Sequence, residues 1–360
     1  LKAVILAGGV GTRLKPLTYK RPKPLIPIAG EPCVDYVIKS LVSAGFTKIV
    51  VTTGYMSDTL IKSIGDGKKF GASILYAFEE IPAGTAGAVK NVEEFLDKTF
   101  VVASGDVLAD VDIKALYEYH QKKNAVATMA LTEVANPTEF GIVGLDDDNR
   151  IVKFKEKPKE EEVFSNLINA GIYILEPEVL DYIPANQMFD FSKNVFPLLL
   201  ENDKPIFGAP ISGLWMDIGR PHDLLSATFG VVERTGSEMN IEGVETEGKI
   251  IMGEGVVIEP NVKIKGPCFI GSNTEIGRNG VLDSACIYEN VRIDRGVTIQ
   301  NSIVMSGSSL GWRSEVVNSI VSNRCTLEDD VKLTDSIIGE GVTIKKHSVM
   351  SDANISPTQE

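Results

Sequence analysis

Over its first 232 residues the chain alternates short apolar runs with amphipathic stretches. Ala3–Leu6, Ile49–Thr53, Ser73–Ala77, Phe100–Ala103 and Val126–Ala130 have the length and apolar content of buried strands. Between them, Val34–Ala44, Asp58–Ile64, Ala86–Leu96 and Ile113–Lys122 read as amphipathic helices. Such alternation, with glycine-rich junctions, predicts an α/β fold whose mainly parallel sheet is covered on both faces. Val152–Lys155 and Ala170–Leu175, flanked by turn residues, predict an antiparallel extension of that sheet. Pro221–Val232 predicts a closing helix, and residues 233–249, with few apolar anchors, predict a linker.

From residue 250 the period changes. Ile270, Ile287, Val304, Val321 and Ile338 recur every 17 residues, as do Ile276, Ile293, Leu310, Leu327 and Ile344. Leu282, Ile299, Val316 and Leu333 form a third row, and upstream Ile258, Ile264, Ile270 and Ile276 keep a plain step of six. A six-residue step means three short strands per coil, each sending one aliphatic side chain inward, with coils stacked into a prism. Gly253, Gly255, Gly266, Gly271 and Gly277, with Asn261, Asn273 and Asn279, supply the tight corners. The pattern resembles the left-handed parallel β-helix of hexapeptide repeats. The predicted domains are thus 1–232, a linker at 233–249, and a β-helix over 250–360.

Composition narrows the function classes. A chain of 360 residues with 43% hydrophobic and 24% charged residues is that of a soluble protein with a large core. A net charge of −13 opposes nucleic acid and anionic membranes as partners. No apolar run approaches the ~18 residues of a membrane-spanning helix, and no secretory signal opens the chain. Cys33, Cys268, Cys286 and Cys325 form no CxxC pair, which suits reduced thiols in the cytoplasm.

The local cations cluster near the start. Directly after the first predicted strand comes Ala7-Gly8-Gly9-Val10-Gly11-Thr12-Arg13-Leu14, followed by Pro22-Lys23-Pro24. Gly8, Gly9 and Gly11 let the backbone turn and offer bare amides to a polyanion, and Arg13 and Lys23 add permanent charge. This is a phosphate-holding loop. A dinucleotide fingerprint would need a third glycine where Leu14 stands, and a P-loop would end in Gly-Lys-Ser/Thr; neither is present.

The stretch resembles the signature of the sugar-nucleotide pyrophosphorylases, nucleotidyltransferases that form an NDP-sugar and pyrophosphate from an NTP and a sugar 1-phosphate. The match runs through the first domain in the family's motif order, so the resemblance implies a Rossmann-like mixed-sheet nucleotidyltransferase domain. It implies catalytic roles for Arg13, Lys23 and Asp106, and nucleotide contacts by Ala7, Gly8, Gly9, Gly11 and Thr12. Asp106 in Ser104-Gly105-Asp106 and Asp217 in Trp215-Met216-Asp217 match the family's Mg²⁺ ligands, a hard-oxygen set suited to that ion. Asp110 and Asp112 read instead as the cap of the next helix. Glu156-Lys157-Pro158, Asn169 and the backbone at Gly141 match its sugar-phosphate contacts.

Base choice turns on Glu79, with Glu80 as the other candidate reader, followed by the loop around Gly84 and Thr85. Pyrimidine-using relatives carry glutamine at the position of Glu79. A carboxylate only accepts, and guanine offers adjacent N1–H and N2–H donors. The expectation is therefore GTP and mannose 1-phosphate, most like the mannose-1-phosphate guanylyltransferases. Uridylyl or thymidylyl transfer to glucose 1-phosphate, and a non-catalytic NDP-sugar-binding paralogue, remain the alternatives. The β-helix implies a homo-oligomer, and His347, near its end, reads as an exposed corner rather than a second catalytic base.

Overall fold

The computed structural model describes residues 1–357. The chain divides into two compact units, and the first comprises Leu1–Val10, Lys23–Leu25 and Cys33–Asp217. Its centre is four parallel strands, β1 (Lys2–Leu6), β2 (Lys48–Thr53), β3 (Ser73–Phe78) and β4 (Phe100–Ser104), in the order β3-β2-β1-β4. Ala3, Val4 and Ile5 are fully buried, which is why β1 reads as an unbroken apolar run. The connecting helices are α1 (Cys33–Ser43), α2 (Ser57–Ile64), α3 (Gly84–Lys90) and α4 (Ile113–Lys123).

The predicted helix Ala86–Leu96 is shorter than expected. Val92 sits at φ −118°, outside helical geometry, and the chain restarts as a 3₁₀ turn at Glu93–Phe95. Of the two predicted cap residues, Asp112 accepts from the Ala115 N–H at 2.9 Å at the start of α4, whereas Asp110 lies within a strand.

The remaining strands are β5 (Val107–Val111), β6 (Ala127–Glu133), β7 (Gly141–Leu145), β8 (Ile151–Glu156), β9 (Leu167–Leu175), β10 (Ile206–Pro210) and β11 (Gly213–Asp217). β9 runs antiparallel to β4, β6 and β7, and β8 is antiparallel to β7, so these strands form the antiparallel extension that the turn residues predicted. β5 leaves the main sheet and pairs antiparallel with β11 in a two-stranded ribbon. Neither strand of the ribbon was visible in the sequence, because each is short and its partner lies about a hundred residues away.

The second unit comprises Gly11–Pro22, Ile26–Pro32 and the chain from Ile218. Its stacked parallel strands pair in the predicted rows: Ile264–Leu282–Ile299–Val316–Leu333, Ile270–Ile287–Val304–Val321–Ile338 and Ile276–Ile293–Leu310–Leu327–Ile344 are direct register partners. All are buried, and the arrangement is that of a left-handed β-helix. Asn261, Asn273 and Asn279 occupy the left-handed region at φ 62°, 57° and 60°. Gly277 serves differently: a Cβ there would lie 2.6 Å from the Arg295 nitrogen of the next coil. A serine ladder adds to the rows, with the Ser319 N–H donating to Ser302 Oγ at 3.0 Å and the Ser336 N–H to Ser319 Oγ at 3.0 Å.

By packing, the chain from Ile218 clusters with the second unit. Helix α5 (Pro221–Thr235) buries Leu224, Ala227, Val231 and Val232 and packs on the first coils of the β-helix. Part of the predicted linker is also ordered strand, since Val244–Glu247 pairs with Val262–Lys265. Among the described residues no helix is long and apolar enough to cross a membrane.

Candidate active site

The ribbon explains how two distant aspartates meet. Val107 is the register partner of Asp217, so Asp106, one residue earlier, lies beside Asp217 at the carboxyl end of β4. The turn is tight, and a Cβ on Gly105 would lie 2.8 Å from Ile5 Cγ2. Lys23 is buried between them, its Nζ 2.8 Å from Asp106 Oδ2 and 3.5 Å from Asp217 Oδ1. Burial by itself lowers the pKa of Lys23; the two carboxylates more than offset this and raise it, so the ammonium stays charged.

This donor set fits Mg²⁺. Two hard carboxylates converge on one cation, and Mg²⁺ commonly takes one or two carboxylates and completes its shell with phosphate and water. Among the described residues no cluster of three or more His, Cys, Asp or Glu side chains forms a complete protein cage. A metal here would therefore share its coordination with a substrate.

Glu79 follows the end of β3, and its N–H donates to the Thr53 carbonyl at 2.8 Å. A Cβ on Gly8 would lie 3.4 Å from Glu79 Oε2, so the glycine turn and this carboxylate are neighbours. Glu79 Oε1 is buried without a hydrogen-bond partner, and burial raises its pKa. Glu80 is exposed. Ala7, at the root of the turn, is buried and donates its N–H to the Thr52 carbonyl at 2.9 Å, while Gly8 and Gly9 are exposed.

The predicted sugar residues also gather. Glu156 and Gly141 are register partners on β8 and β7, and a Cβ on Gly141 would lie 2.7 Å from Glu156 Oε2. That oxygen is buried without a hydrogen-bond partner, and burial raises the pKa of Glu156 against the opposing charge of Lys157. Lys157 is exposed at φ 43°, a left-handed conformation disfavoured both for a non-glycine residue and for one preceding proline. Its N–H is tied to the Phe140 carbonyl at 3.0 Å. Asn169 sits where β9 breaks register with β6. Its amide donates to Tyr173 Oη (2.9 Å) and Ser192 Oγ (3.1 Å), and its oxygen accepts from the Gly171 N–H at 2.9 Å. Both amide protons are thus spent within the protein.

Gly84 and Thr85 open α3, against the segment Phe189–Val195. Gly84 has φ 76°, and a Cβ there would lie 2.6 Å from the Phe189 carbonyl oxygen. The Thr85 hydroxyl donates to Asp190 Oδ1 at 3.3 Å and accepts from the Phe191 N–H at 2.9 Å. It ties the loop to that segment. Asp190 and Ser192 carry no motif of their own, and only their position between Thr85 and Asn169 identifies them. Trp215 is another such residue, donating its indole N–H to the Ala170 carbonyl at 2.8 Å.

Gly11, Thr12 and Arg13 belong to the second unit. Gly11 is left-handed at φ 66° and starts a 3₁₀ turn over Thr12–Leu14, and Thr18 Oγ1 closes the loop on the Gly11 carbonyl at 2.9 Å. The contiguous signature is therefore divided between the units, with Lys23 in the first and Arg13 in the second.

Residues 2–234 match the nucleotidyl transferase family, and residues 246–360 match the GMPPB C-terminal domain. The mannose-1-phosphate guanyltransferase of Candida albicans is 35% identical over 363 residues, covering 98% of this chain and 97% of that protein. The UTP–glucose-1-phosphate uridylyltransferase of Synechocystis is 35% identical over 341 residues, covering 90% and 88%. Among solved structures, HddC from Yersinia pseudotuberculosis complexed with GMP-PN aligns with a TM-score of 0.55 and 27% identity, over 64% of this chain and 99% of that one. With its first 234 residues matched almost end to end, the chain belongs to the nucleotidyl transferase family, joined to a GMPPB-type C-terminal domain.

Proposed function

We propose that this protein is a mannose-1-phosphate guanylyltransferase, making GDP-mannose and pyrophosphate from GTP and mannose 1-phosphate. The observation that carries the base assignment is Glu79, whose buried Oε1 lacks a partner beside the glycine turn. Leaving a buried carboxylate oxygen unpaired costs about 1–3 kcal/mol or more, and guanine N1–H and N2–H would remove that cost. The Candida albicans relative and the HddC complex support the same choice.

A phosphate oxygen of the sugar 1-phosphate attacks the α-phosphorus of GTP. The bond from that phosphorus to the bridging oxygen breaks, and pyrophosphate leaves with the electron pair. Lys23 and Arg13 stabilise the charge gathering on the leaving group, with the glycine-turn amides of Gly8, Gly9, Gly11 and Thr12 holding the triphosphate. Lys157 holds the sugar's phosphate, and Glu156 Oε2 accepts from a sugar hydroxyl. Asp106 and Asp217 would hold Mg²⁺, which when bound neutralises phosphate charge. Four buried thiols suit a reducing cytoplasm, and the β-helix suits assembly into a homo-oligomer.

A second reading, uridylyl transfer to glucose 1-phosphate, is favoured by the Synechocystis relative. A panel of NTPs against mannose and glucose 1-phosphates, scored by pyrophosphate release, separates the two. Turnover with GTP and mannose 1-phosphate above all other pairs is expected; preference for UTP or dTTP would refute the guanine argument.

A further inference from the structure

One short segment of the first unit, residues 189–195, touches both the nucleotide and the sugar side of the proposed site. It closes as a π-helical turn over Phe191–Val195, in which the Val195 N–H donates to the Asp190 carbonyl at 3.1 Å. Phe191 anchors the turn: it is fully buried, and its ring packs against Tyr173 and Phe196 at 5.2 and 5.9 Å between centroids. On one side of this anchor stands α3. That helix opens on Ala83, which has no capping side chain, so its first N–H groups need partners from elsewhere. The Phe189 carbonyl accepts from the Ala86 N–H (2.9 Å) and the Gly87 N–H (3.0 Å). Asp190 Oδ1 accepts from the Thr85 N–H (3.1 Å) and the Thr85 hydroxyl (3.3 Å). On the other side, Ser192 Oγ accepts from the Asn169 amide at 3.1 Å. That leaves the Ser192 proton to give, and the hydroxyl bonds the Glu156 carboxyl.

We infer that Asp190 and Ser192 are positioning residues, Asp190 for the nucleotide loop that follows Glu79 and Ser192 for Glu156, and that the turn they share fixes the two substrates relative to each other. The inference rests on the proposed nucleotidyl transfer for which substrate each side serves. The anchoring rests on bonds that all lie within the first unit. The physical reason is that in-line attack needs the sugar-phosphate oxygen and the α-phosphorus held at reacting distance, and a misplacement of about 1 Å is costly. The sheet does not tie the two sides directly. Glu79 follows β3 and Glu156 ends β8, and these strands stand at opposite ends of the main strand order. Residues 189–195 supply the missing link, because Asp190 and Ser192 flank one buried phenylalanine and their separation is set by covalent geometry.

Paired single variants of the full chain are the test. Asp190→Ala should raise KM for GTP about tenfold and leave KM for mannose 1-phosphate within about twofold, and Ser192→Ala should do the reverse. Asp190→Asn keeps Oδ1 as an acceptor and Ser192→Thr keeps the hydroxyl, so each should restore the parent values. Phe191→Leu loosens the shared anchor and should raise both KM values. Hydrogen exchange read by mass spectrometry is independent of substrate: amides in residues 83–90 should exchange faster in Asp190→Ala and at the parent rate in Asp190→Asn. Parent-like KM values in the two alanine variants would overturn the inference. So would both KM values rising together in either of them, parent-like exchange in Asp190→Ala, or a Phe191→Leu protein in which only one KM moves. If the chain prefers UTP and glucose 1-phosphate, the same split is read on that pair. If the parent chain turns over no pair, the proposed reaction fails, and the exchange comparison still decides whether Asp190 holds the loop.

Discussion

The edge of the mixed sheet and the wall of the β-helix solve the burial of polar groups in opposite ways. In the coils, among the described residues, no buried side-chain nitrogen or oxygen goes without a partner, and serine hydroxyls bond their neighbours at the 17-residue period. At the sheet edge, Glu79 Oε1 and Glu156 Oε2 are buried and unpartnered, Lys157 is held left-handed, and two aspartates crowd one lysine. Each such feature costs stability. A region whose bonds are complete has nothing left to offer a ligand. Unpartnered buried oxygens at the positions expected for base and sugar support the proposed substrate site.

The comparison breaks most sharply at Lys23. Lys23→Ala removes the cation from between Asp106 and Asp217, and kcat should fall by about 10²–10³-fold, on the order of 3–4 kcal/mol. Circular dichroism should be unchanged; near-parent activity would take Lys23 out of catalysis. The counterpart in the β-helix is Leu333→Ala, far along the stacked rows. It should cost about 2–5 kcal/mol of stability through the cavity it leaves, with KM values unaffected, as denaturant melts and steady-state kinetics would show.

Glu79→Gln sharpens the contrast, because it exchanges an acceptor-only group for one that also donates. Preference should move from GTP toward UTP or dTTP by about tenfold or more, measured as the ratio of kcat/KM values. The same substitution has a signed effect on stability. Burial raises the folded-state pKa of Glu79, so its ionisation penalty is absent below the ordinary glutamate range and complete above the raised folded-state value. Glu79→Gln should therefore stabilise the protein at neutral pH, with the gain vanishing in acid; a gain that grows in acid would contradict the assigned burial. Smallest is Ser319→Ala, which orphans the Ser336 N–H and should cost about 1–2 kcal/mol without touching turnover.

Much of the molecule is legible in one dimension. The three 17-residue rows and the buried run of β1 arise from side chains that repeat at the spacing of the structure they build, so the pattern is in the sequence itself. Asparagine corners are legible for the same reason, since a left-handed φ selects among few residues. The single-helix reading of Ala86–Leu96 fails because Val92 leaves helical geometry, a local event that apolar spacing does not encode.

What only the tertiary structure decided are the long-range pairings. Asp106 meets Asp217 because β5 and β11 form a ribbon, and neither strand signals its partner. The Thr85 hydroxyl is spent on Asp190 and the Phe191 N–H, and Asn169 spends its amide on Tyr173 and Ser192, because the segment Phe189–Val195 folds back toward both. The signature loop was the clearest motif in the sequence, yet its division between the two units was invisible there. Glycines and cations at fixed spacing declare a phosphate site by their own chemistry. The segment that follows it meets a tyrosine and a phenylalanine more than 200 residues away, Tyr288 at the Pro27 carbonyl and Phe269 over Gly30, and only closure of the chain brings these together.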